Sequence, residues 1–180
     1  RNLSVAYTQE EISAMSEEEQ LKALNELWRN YCISDSYEPG STFKPITVAA
    51  CLDEGKASRK STYVCDGGQQ VADRYIKCVA NRYGGHGALS LGQALMVSCN
   101  DVMMQISAKL GKEKFLDYMD AFGIGRKTGI DLPGEATGTV FNNDTMHSTQ
   151  LATSSFGQSQ TVTMVQMAAA FSAIVNGGNY

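Results

Sequence analysis

The chain has 180 residues, of which 43% are hydrophobic and 19% are charged, and its formal net charge is −4. That length suffices for one domain with a core and is short for two. The charge balance, with no Lys/Arg-rich run, excludes electrostatic binding of nucleic acid, and no stretch approaches the roughly 20 apolar residues of a membrane span. Because the chain begins at Arg1 and shows no signal peptide, we expect it to be cut from a longer protein that carries any anchor elsewhere.

Helix starts are marked by the capping box, in which Ser or Thr is followed three residues later by Glu or Gln. Each side chain then satisfies a backbone N–H that the helix leaves unpaired. The pairs are Thr8 with Glu11, Ser16 with Glu19, Ser90 with Gln93 and Thr163 with Gln166.

Helix ends are marked by Gly or Asn, which tolerate the left-handed conformation that terminates helices. These residues follow apolar stretches at Gly55, Gly111, Gly123 and Asn176. Residues 123–143 are predicted to be loop. We therefore predict a mostly helical chain without strands enough for a large sheet.

Strand signals are weak and confined to one region. Residues 61–64 and 69–76 predict a small hairpin around Gly67 and Gly68. Cys65 and Cys78 flank this region, and they either close a disulfide-bonded loop in an oxidising compartment or remain free buried thiols.

The chain has five cysteines, and an odd number cannot pair completely. Cys51 and Cys99 lie in apolar, helix-like contexts and are interpreted as small core residues. His86, between glycines, is interpreted as structural. No His/Cys/Asp spacing is typical of a metal site, so we predict no metal and no cofactor.

Residues 37–45 read Tyr-Glu-Pro-Gly-Ser-Thr-Phe-Lys-Pro. Pro39 and Gly40 break the chain and Pro45 is tolerated only near a helix start, so a helix must begin close to Ser41. Three residues make nearly one turn, which places Ser41 and Lys44 on the same side. A lysine with a lowered pKa can activate a serine nucleophile, and the positive end of a helix favours the developing oxyanion. The alternative is a helix-capping serine followed by a solvated lysine.

A second short segment, Ser98-Cys99-Asn100, lies between two predicted helices. Ser98 and Asn100, two residues apart in such a turn, can present both side chains to one cleft. The alternative is a simple interhelical turn in which Asn100 or Asp101 caps the next helix.

Together these two motifs, Ser-x-x-Lys and Ser-x-Asn, resemble the signature of the penicillin-binding transpeptidases. The resemblance to the class B, monofunctional enzymes of the division and sporulation type extends to the sequence around these motifs. The matching segments, in the same order, are 37–45, Gly85–Gly87 followed by Leu89–Asn100, 123–135 and 156–178. The resemblance covers residues 28–180, whereas residues 1–27 resemble the variable helical approach to the active-site serine.

This resemblance implies that residues 1–180 are a partial transpeptidase domain. The fold would be the mostly α part of the α/β penicillin-binding transpeptidase and serine β-lactamase-like fold, with the main antiparallel sheet largely absent.

The resemblance also implies roles for four residues. Ser41 would attack the penultimate D-Ala carbonyl of a peptidoglycan stem peptide ending in D-Ala-D-Ala and form an acyl-enzyme. Lys44 would take its proton, Ser98 would relay a proton to the departing D-Ala nitrogen, and Asn100 would hydrogen-bond Lys44 and the substrate amide. An amine of a neighbouring stem peptide would accept the acyl group, and β-lactam antibiotics would acylate the same serine.

The implied location is the outer face of the bacterial cell membrane, reached through an N-terminal anchor outside this chain. Cell-wall synthesis proteins would be further partners, through the rest of the full-length protein.

The family also uses a third motif, Lys-Thr-Gly, on a strand that lines the cleft. Lys127-Thr128-Gly129 has these residues, but it follows Ser98 by only 29 positions and no apolar strand precedes it. We interpret it as a connecting loop, expect the real motif beyond Tyr180, and expect the isolated chain to be impaired or inactive.

Two other functions stay open. A serine β-lactamase would need a carboxylate to activate water, and Glu135 lies in the segment interpreted as a connecting loop. A non-catalytic β-lactam-sensing domain would keep Ser41 and Lys44 for acylation without transfer.

Overall fold

The structure is a computed structural model that describes residues 2–180. Helices dominate it, joined by short turns and one long loop. The α-helices are α1 Gln9–Ala14, α2 Glu17–Trp28, α3 Tyr31–Ser34, α4 Lys44–Asp53, α5 Leu91–Met96, α6 Asn100–Leu110, α7 Lys112–Ala121, α8 Ser148–Ser154 and α9 Met164–Val175. Three further segments form 3-10 turns, at Leu3–Val5, Gly40–Phe43 and Asn81–Tyr83.

The strands are short and antiparallel. They are β1 Ser36–Tyr37, β2 Thr62–Cys65, β3 Gly68–Val71, β4 Arg74–Lys77, β5 Gly87–Ser90 and β6 Val162–Thr163. Within the described residues they pair two by two, as β1 with β6, β2 with β5 and β3 with β4. The predicted mostly α fold without a large sheet is confirmed.

All four predicted capping boxes are present, each with both reciprocal hydrogen bonds. They open α1, α2, α5 and α9, and the capping residues are Thr8, Ser16, Ser90 and Thr163. Of the predicted helix ends, Gly111 takes a φ of 84° directly after α6. Local hydrogen bonding alone fixes these boundaries, which is why the sequence revealed them.

The predicted hairpin around Gly67 and Gly68 is wrong. Strand β2 pairs with β5, more than 20 residues later in the chain, and β3 forms its own hairpin with β4 through a two-residue turn at Ala72 and Asp73. Gly67 has a φ of 110° and Gly85 would bring a Cβ within 2.2 Å of the Cys65 carbonyl oxygen. The chain therefore turns away from β2 at Gly67. It comes back against β2 at Gly85, just before β5 begins.

The core lies between α4 and α6, which pack on each other, with α7, α8 and α9 around them. Phe43, Ile46, Met103 and Ile106 are buried there, and the rings of Phe43 and Phe115 lie 6.2 Å apart between centroids. This packing sets the N-terminal end of α4 beside that of α6. No helix among residues 2–180 is both long and apolar enough to span a bilayer.

Candidate active site

Ser41 lies in the 3-10 turn Gly40–Phe43, and Lys44 is the first residue of α4. The sequence predicted a helix start close to Ser41, and the structure adds that its first turn is the tighter 3-10 form. Residues three apart eclipse each other in such a turn. Pro45 fits the first turn of α4 because no intrahelical partner is needed for its nitrogen there.

Ser98 lies in the three-residue connection between α5 and α6, and its backbone has the left-handed φ of 54°. Such a conformation is costly for a residue other than glycine and persists only where its surroundings enforce it. The Ser98 N–H donates to the Leu95 carbonyl at 3.1 Å, and the Cys99 N–H donates to the Ala94 carbonyl at 2.8 Å. The turn is therefore held from the end of α5.

A chain of hydrogen bonds joins these two segments. The Lys44 Nζ donates to the Ser98 carbonyl oxygen at 2.6 Å and to the Ser98 Oγ at 2.7 Å. The Ser98 Oγ in turn donates to the Ser41 Oγ at 2.9 Å. Ser98 thus stands between the hydroxyl of Ser41 and the amine of Lys44, which are 57 and 54 residues away from it in the chain.

The amine of Lys44 is in an unusual environment for a lysine, since the residue is only 1% exposed. Burial disfavours the charged form and lowers the pKa of Lys44 to about 8, while the nearby Cys78 and Cys99 sulfurs act in the opposite direction when they are ionised. Ser41, by contrast, is exposed. A hydroxyl open to solvent is thereby linked to an amine whose proton is easily lost.

Asn100 is the first residue of α6 and is half-buried, two residues beyond Ser98. Its side chain makes no hydrogen bond to Lys44 within residues 2–180. The structure thus brings Ser41, Lys44 and Ser98 into direct contact and sets Asn100 next to them.

The turn that carries Ser41 is supported from the C-terminal third of the chain. The Gly40 N–H donates to the Gly157 carbonyl at 2.8 Å, and the Ser159 N–H donates to the Glu38 Oε1 at 2.8 Å. Strand pairing of β1 with β6 holds the same two segments together. The position of Ser41 therefore depends on residues more than 100 positions away.

Gly157→Ala is expected to lower the rate of penicillin acylation at least tenfold. An added Cβ would lie 2.1 Å from the Gly40 carbonyl oxygen, and Gly157 has a φ of +80°, so Gly40 and Ser41 must shift. The control is Gly129→Ala, which has the same φ of +80° and open space around its Cβ. Equal acylation rates in the two variants would show that this contact does not position Ser41.

Lys127-Thr128-Gly129 lies in a loop, not on a strand. The Thr128 N–H and hydroxyl both donate to Glu135 Oε1 at 2.6 Å, and the Gly129 N–H donates to Oε2 at 3.3 Å. The threonine is therefore engaged within its own loop, as expected for a connecting segment.

Four side chains meet directly behind Ser98: Cys65, Cys78, His86 and Cys99, whose donor atoms all lie within 4.8 Å of one another. The sequence analysis found no metal-like spacing, and this convergence corrects it. The intervals between the four residues match no common metal motif, and sheet pairing rather than spacing brings them together. The glycines on both sides of His86, and Gly67 two residues after Cys65, were the one available signal. Both Cys65 and Cys78 are free thiols.

Comparison with known proteins gives concordant matches. A family profile described as "Penicillin binding protein transpeptidase domain" matches residues 5–180. Stage V sporulation protein D of Bacillus subtilis (strain 168) is 43% identical over 151 residues, which are 83% of this chain and 23% of that protein. The Peptidoglycan D,D-transpeptidase FtsI homolog of Mesostigma viride is 31% identical over 166 residues, 86% of this chain and 27% of that protein.

A solved structure agrees as well. The crystal structure of Pseudomonas aeruginosa PBP2 in complex with WCK 5153 matches with a TM-score of 0.79 and 26% identity, over 88% of this chain and 40% of that one. The chain spans about a quarter of the length of the curated relatives named above. The family profile nevertheless covers nearly every residue, including both motifs that meet at Ser98. On this evidence the chain belongs to the penicillin-binding protein transpeptidase family, in its class B branch.

Proposed function

We propose that this chain belongs to a peptidoglycan D,D-transpeptidase that acts through a serine acyl-enzyme, with Ser41 as the nucleophile. The observation that carries the proposal is the hydrogen-bond chain from Ser41 through Ser98 to the buried Lys44. It lies where a 3-10 turn and α4 begin, so the positive end of the helix faces the oxygen on which negative charge develops.

The first step is acylation. The Ser41 Oγ attacks the penultimate D-Ala carbonyl of a stem peptide ending in D-Ala-D-Ala, and its proton passes to neutral Lys44, directly or through the Ser98 hydroxyl. The bond from the carbonyl carbon to the terminal D-Ala nitrogen then breaks, and the proton returns through Ser98 to that nitrogen. The Ser98 hydroxyl can rotate, so it donates to Ser41 when Lys44 is charged and to Lys44 when the amine is neutral.

The second step is transfer. An amine of a neighbouring stem peptide attacks the ester, loses a proton to the same relay and releases Ser41, which leaves a cross-link. Asn100, at the first residue of α6, is proposed to bind Lys44 and the substrate amide during these steps. A β-lactam would enter at the first step, because its ring carbonyl takes the place of the D-Ala carbonyl.

The wider context of the protein follows from its class. We propose that residues 1–27 are the variable helical approach and residues 28–180 the helical subdomain of the catalytic domain. The full-length protein would act at the outer face of the bacterial membrane, held by an N-terminal anchor, together with other cell-wall synthesis proteins. These 180 residues alone would transfer acyl groups poorly, since the loop at Lys127 does not line the Ser41 cleft as a strand.

Mass spectrometry of the full-length protein tests the proposal. After incubation with benzylpenicillin, we expect one covalent adduct per chain, located by peptide mapping on Ser41. The same preparation should release D-Ala from a synthetic stem pentapeptide and join the product to an added amine. An adduct on another residue, or hydrolysis without transfer to the amine, would contradict the proposal.

The rival serine β-lactamase receives no support from the loop carboxylate. Glu135 accepts three hydrogen bonds from Thr128 and Gly129 within its own loop. Turnover of a chromogenic cephalosporin separates the two functions, because a transpeptidase is acylated once and then deacylates slowly. A β-lactam-sensing domain would be acylated as well but would make no cross-link in the amine-transfer assay.

A further inference from the structure

The four side chains behind Ser98 come from four separate elements. Cys65 ends β2, Cys78 follows β4, His86 precedes β5, and Cys99 precedes α6. The three cysteines are buried and the histidine is half-buried. The three cysteines border the hydrophobic core, but neither apolar packing nor the acyl-transfer chemistry accounts for an imidazole nitrogen directed at their sulfurs.

Three of the distances within this Cys3His cluster are close to those of a tetrahedral metal site. Cys65 Sγ and Cys78 Sγ lie 3.5 and 3.6 Å from His86 Nδ1, and the Cys78 and Cys99 sulfurs lie 3.9 Å apart. Zinc bonds of about 2.3 Å to sulfur and about 2.0–2.1 Å to nitrogen at tetrahedral angles require separations of about 3.8 Å between sulfurs and about 3.6 Å from sulfur to nitrogen. The three separations given above match these values and all the others are within 4.8 Å, so a small inward movement of the donor atoms would seat an ion of that size.

Backbone N–H groups point at the same sulfurs. Those of Gly67 and Ala80, each two residues after a cysteine, donate to Cys65 and Cys78 respectively. The Cys78 sulfur also accepts from Asn100 and Asp101 at the start of α6. Hydrogen bonds of this kind commonly surround metal-bound cysteine sulfurs, because they stabilise the negative charge that each sulfur carries once it binds the ion.

The charge of the surroundings also suits a cation. Asp101 is fully buried, and its Oδ1 accepts from Gln69 and Gln105 at 2.6 and 2.8 Å. Its Oδ2 has no hydrogen-bond partner among residues 2–180. The backbone N–H of Asp101 donates to Cys78, so a cation bound at the sulfurs would lie close to this buried acidic residue, where positive charge is favoured.

The local fold needs such a support. Residues 62–90 form two separate two-stranded sheets, and a two-stranded unit alone is at best marginally stable in water. One ion bound to all four side chains would tie both sheets to α6. A disulfide between Cys78 and Cys99 would use only two of the four donors and would leave Cys65 and His86 without a role.

We propose that Cys65, Cys78, His86 and Cys99 form a structural site for a thiophilic divalent cation, with zinc as the best fit. Four protein donors complete a tetrahedron, so no position is open for substrate or water and the ion takes no part in the chemistry. Three sulfurs select zinc over magnesium or calcium, which prefer oxygen ligands.

The site also has a positioning effect, and this part rests on the function proposed above. Cys99 lies directly between Ser98 and Asn100, and Ser98 is in a strained left-handed conformation. A metal bond to Cys99 would hold the turn between α5 and α6 on the side away from Ser41. The Ser98 Oγ would thereby stay between Ser41 and Lys44. The four ligands are therefore positioning residues, since none of them contacts the Ser41 hydroxyl.

Metal binding is tested without any β-lactam. Full-length protein purified without chelators is expected to contain one zinc ion per chain by plasma mass spectrometry. Protein stripped with a chelator and given Co(II) should show thiolate-to-cobalt charge transfer and the visible bands of tetrahedral cobalt. Absence of both signals, with mapping that finds a Cys78–Cys99 disulfide or four free side chains, would overturn the proposal.

Matched variants separate metal ligation from simple packing. His86→Ala and Cys78→Ser should lose the ion, whereas His86→Cys should keep it, because four cysteines also bind zinc. Cys51→Ser is the control, since Cys51 is a buried cysteine outside the cluster. Retention of the ion in both His86→Ala and Cys78→Ser would refute the ligand assignment.

The positioning effect has its own readout. His86→Ala should be acylated by a fluorescent penicillin about tenfold or more slowly than the wild type, the usual range for lost support of a site, and His86→Cys should recover most of the rate. Far-ultraviolet circular dichroism is recorded at the assay temperature to establish that the helices persist. Unchanged acylation in a metal-free, folded variant would refute the positioning effect while leaving both the metal site and the proposed nucleophile standing.

Discussion

Replacing Ser41 by alanine is expected to abolish covalent labelling of the full-length protein by a fluorescent penicillin. The substitution removes the exposed hydroxyl that accepts from the Ser98 Oγ at the N-terminal end of α4, whereas the neighbouring Thr42 hydroxyl donates to the Pro39 carbonyl at 2.7 Å. The fold should remain, because Ser41 is exposed and the change removes one hydrogen bond, worth about 1 kcal/mol.

The control for this change is Ser16→Ala. Ser16 also stands at a helix start, where it caps α2, far from the motifs in sequence. Its loss should cost about 1 kcal/mol of stability and leave labelling intact. Labelling that persists in Ser41→Ala, measured by fluorescence of the denatured band, would remove Ser41 from its proposed role.

Replacing Lys44 by alanine is expected to slow acylation by two orders of magnitude or more, the range for loss of an acid–base group. The substitution removes the amine that donates to both oxygens of Ser98. The pKa of Lys44, lowered to about 8 by burial, leaves about one amine in ten neutral at pH 7. In the wild type the acylation rate should therefore rise with pH through about 8, and this rise should vanish in the variant.

Lys44→Arg tests whether charge alone is needed. Arginine keeps the positive charge but cannot lose its proton, so we expect acylation as slow as in the alanine variant. Because Lys44 is buried, thermal unfolding is measured for both variants, and Lys109→Ala serves as the control for loss of a lysine outside the site. A stopped-flow acylation rate that is unchanged in folded Lys44→Arg would exclude the lysine as the base.

The amino-acid sequence by itself determined the local features of the molecule. The four capping boxes, from Thr8 to Thr163, and the glycine ends such as Gly111 depend on hydrogen bonds and φ values within about one helical turn. The start of α4 near Ser41 followed from Pro39 and Pro45 for the same reason. Interactions of such short range depend only on neighbouring residues in the chain, so they can be predicted from the sequence.

The tertiary structure decided whatever depends on residues far apart in the chain. Strand β1 pairs with β6, 125 residues or more along the chain, and β2 pairs with β5 and not with its neighbour β3. The relay from Ser41 through Ser98 to Lys44 arises because α4 packs on α6. The convergence of Cys65 with Cys99 arises because β2 pairs with β5 and contacts α6. Side chains meet across such a core by close packing of buried surfaces, and spacing along the sequence does not encode which surfaces will meet.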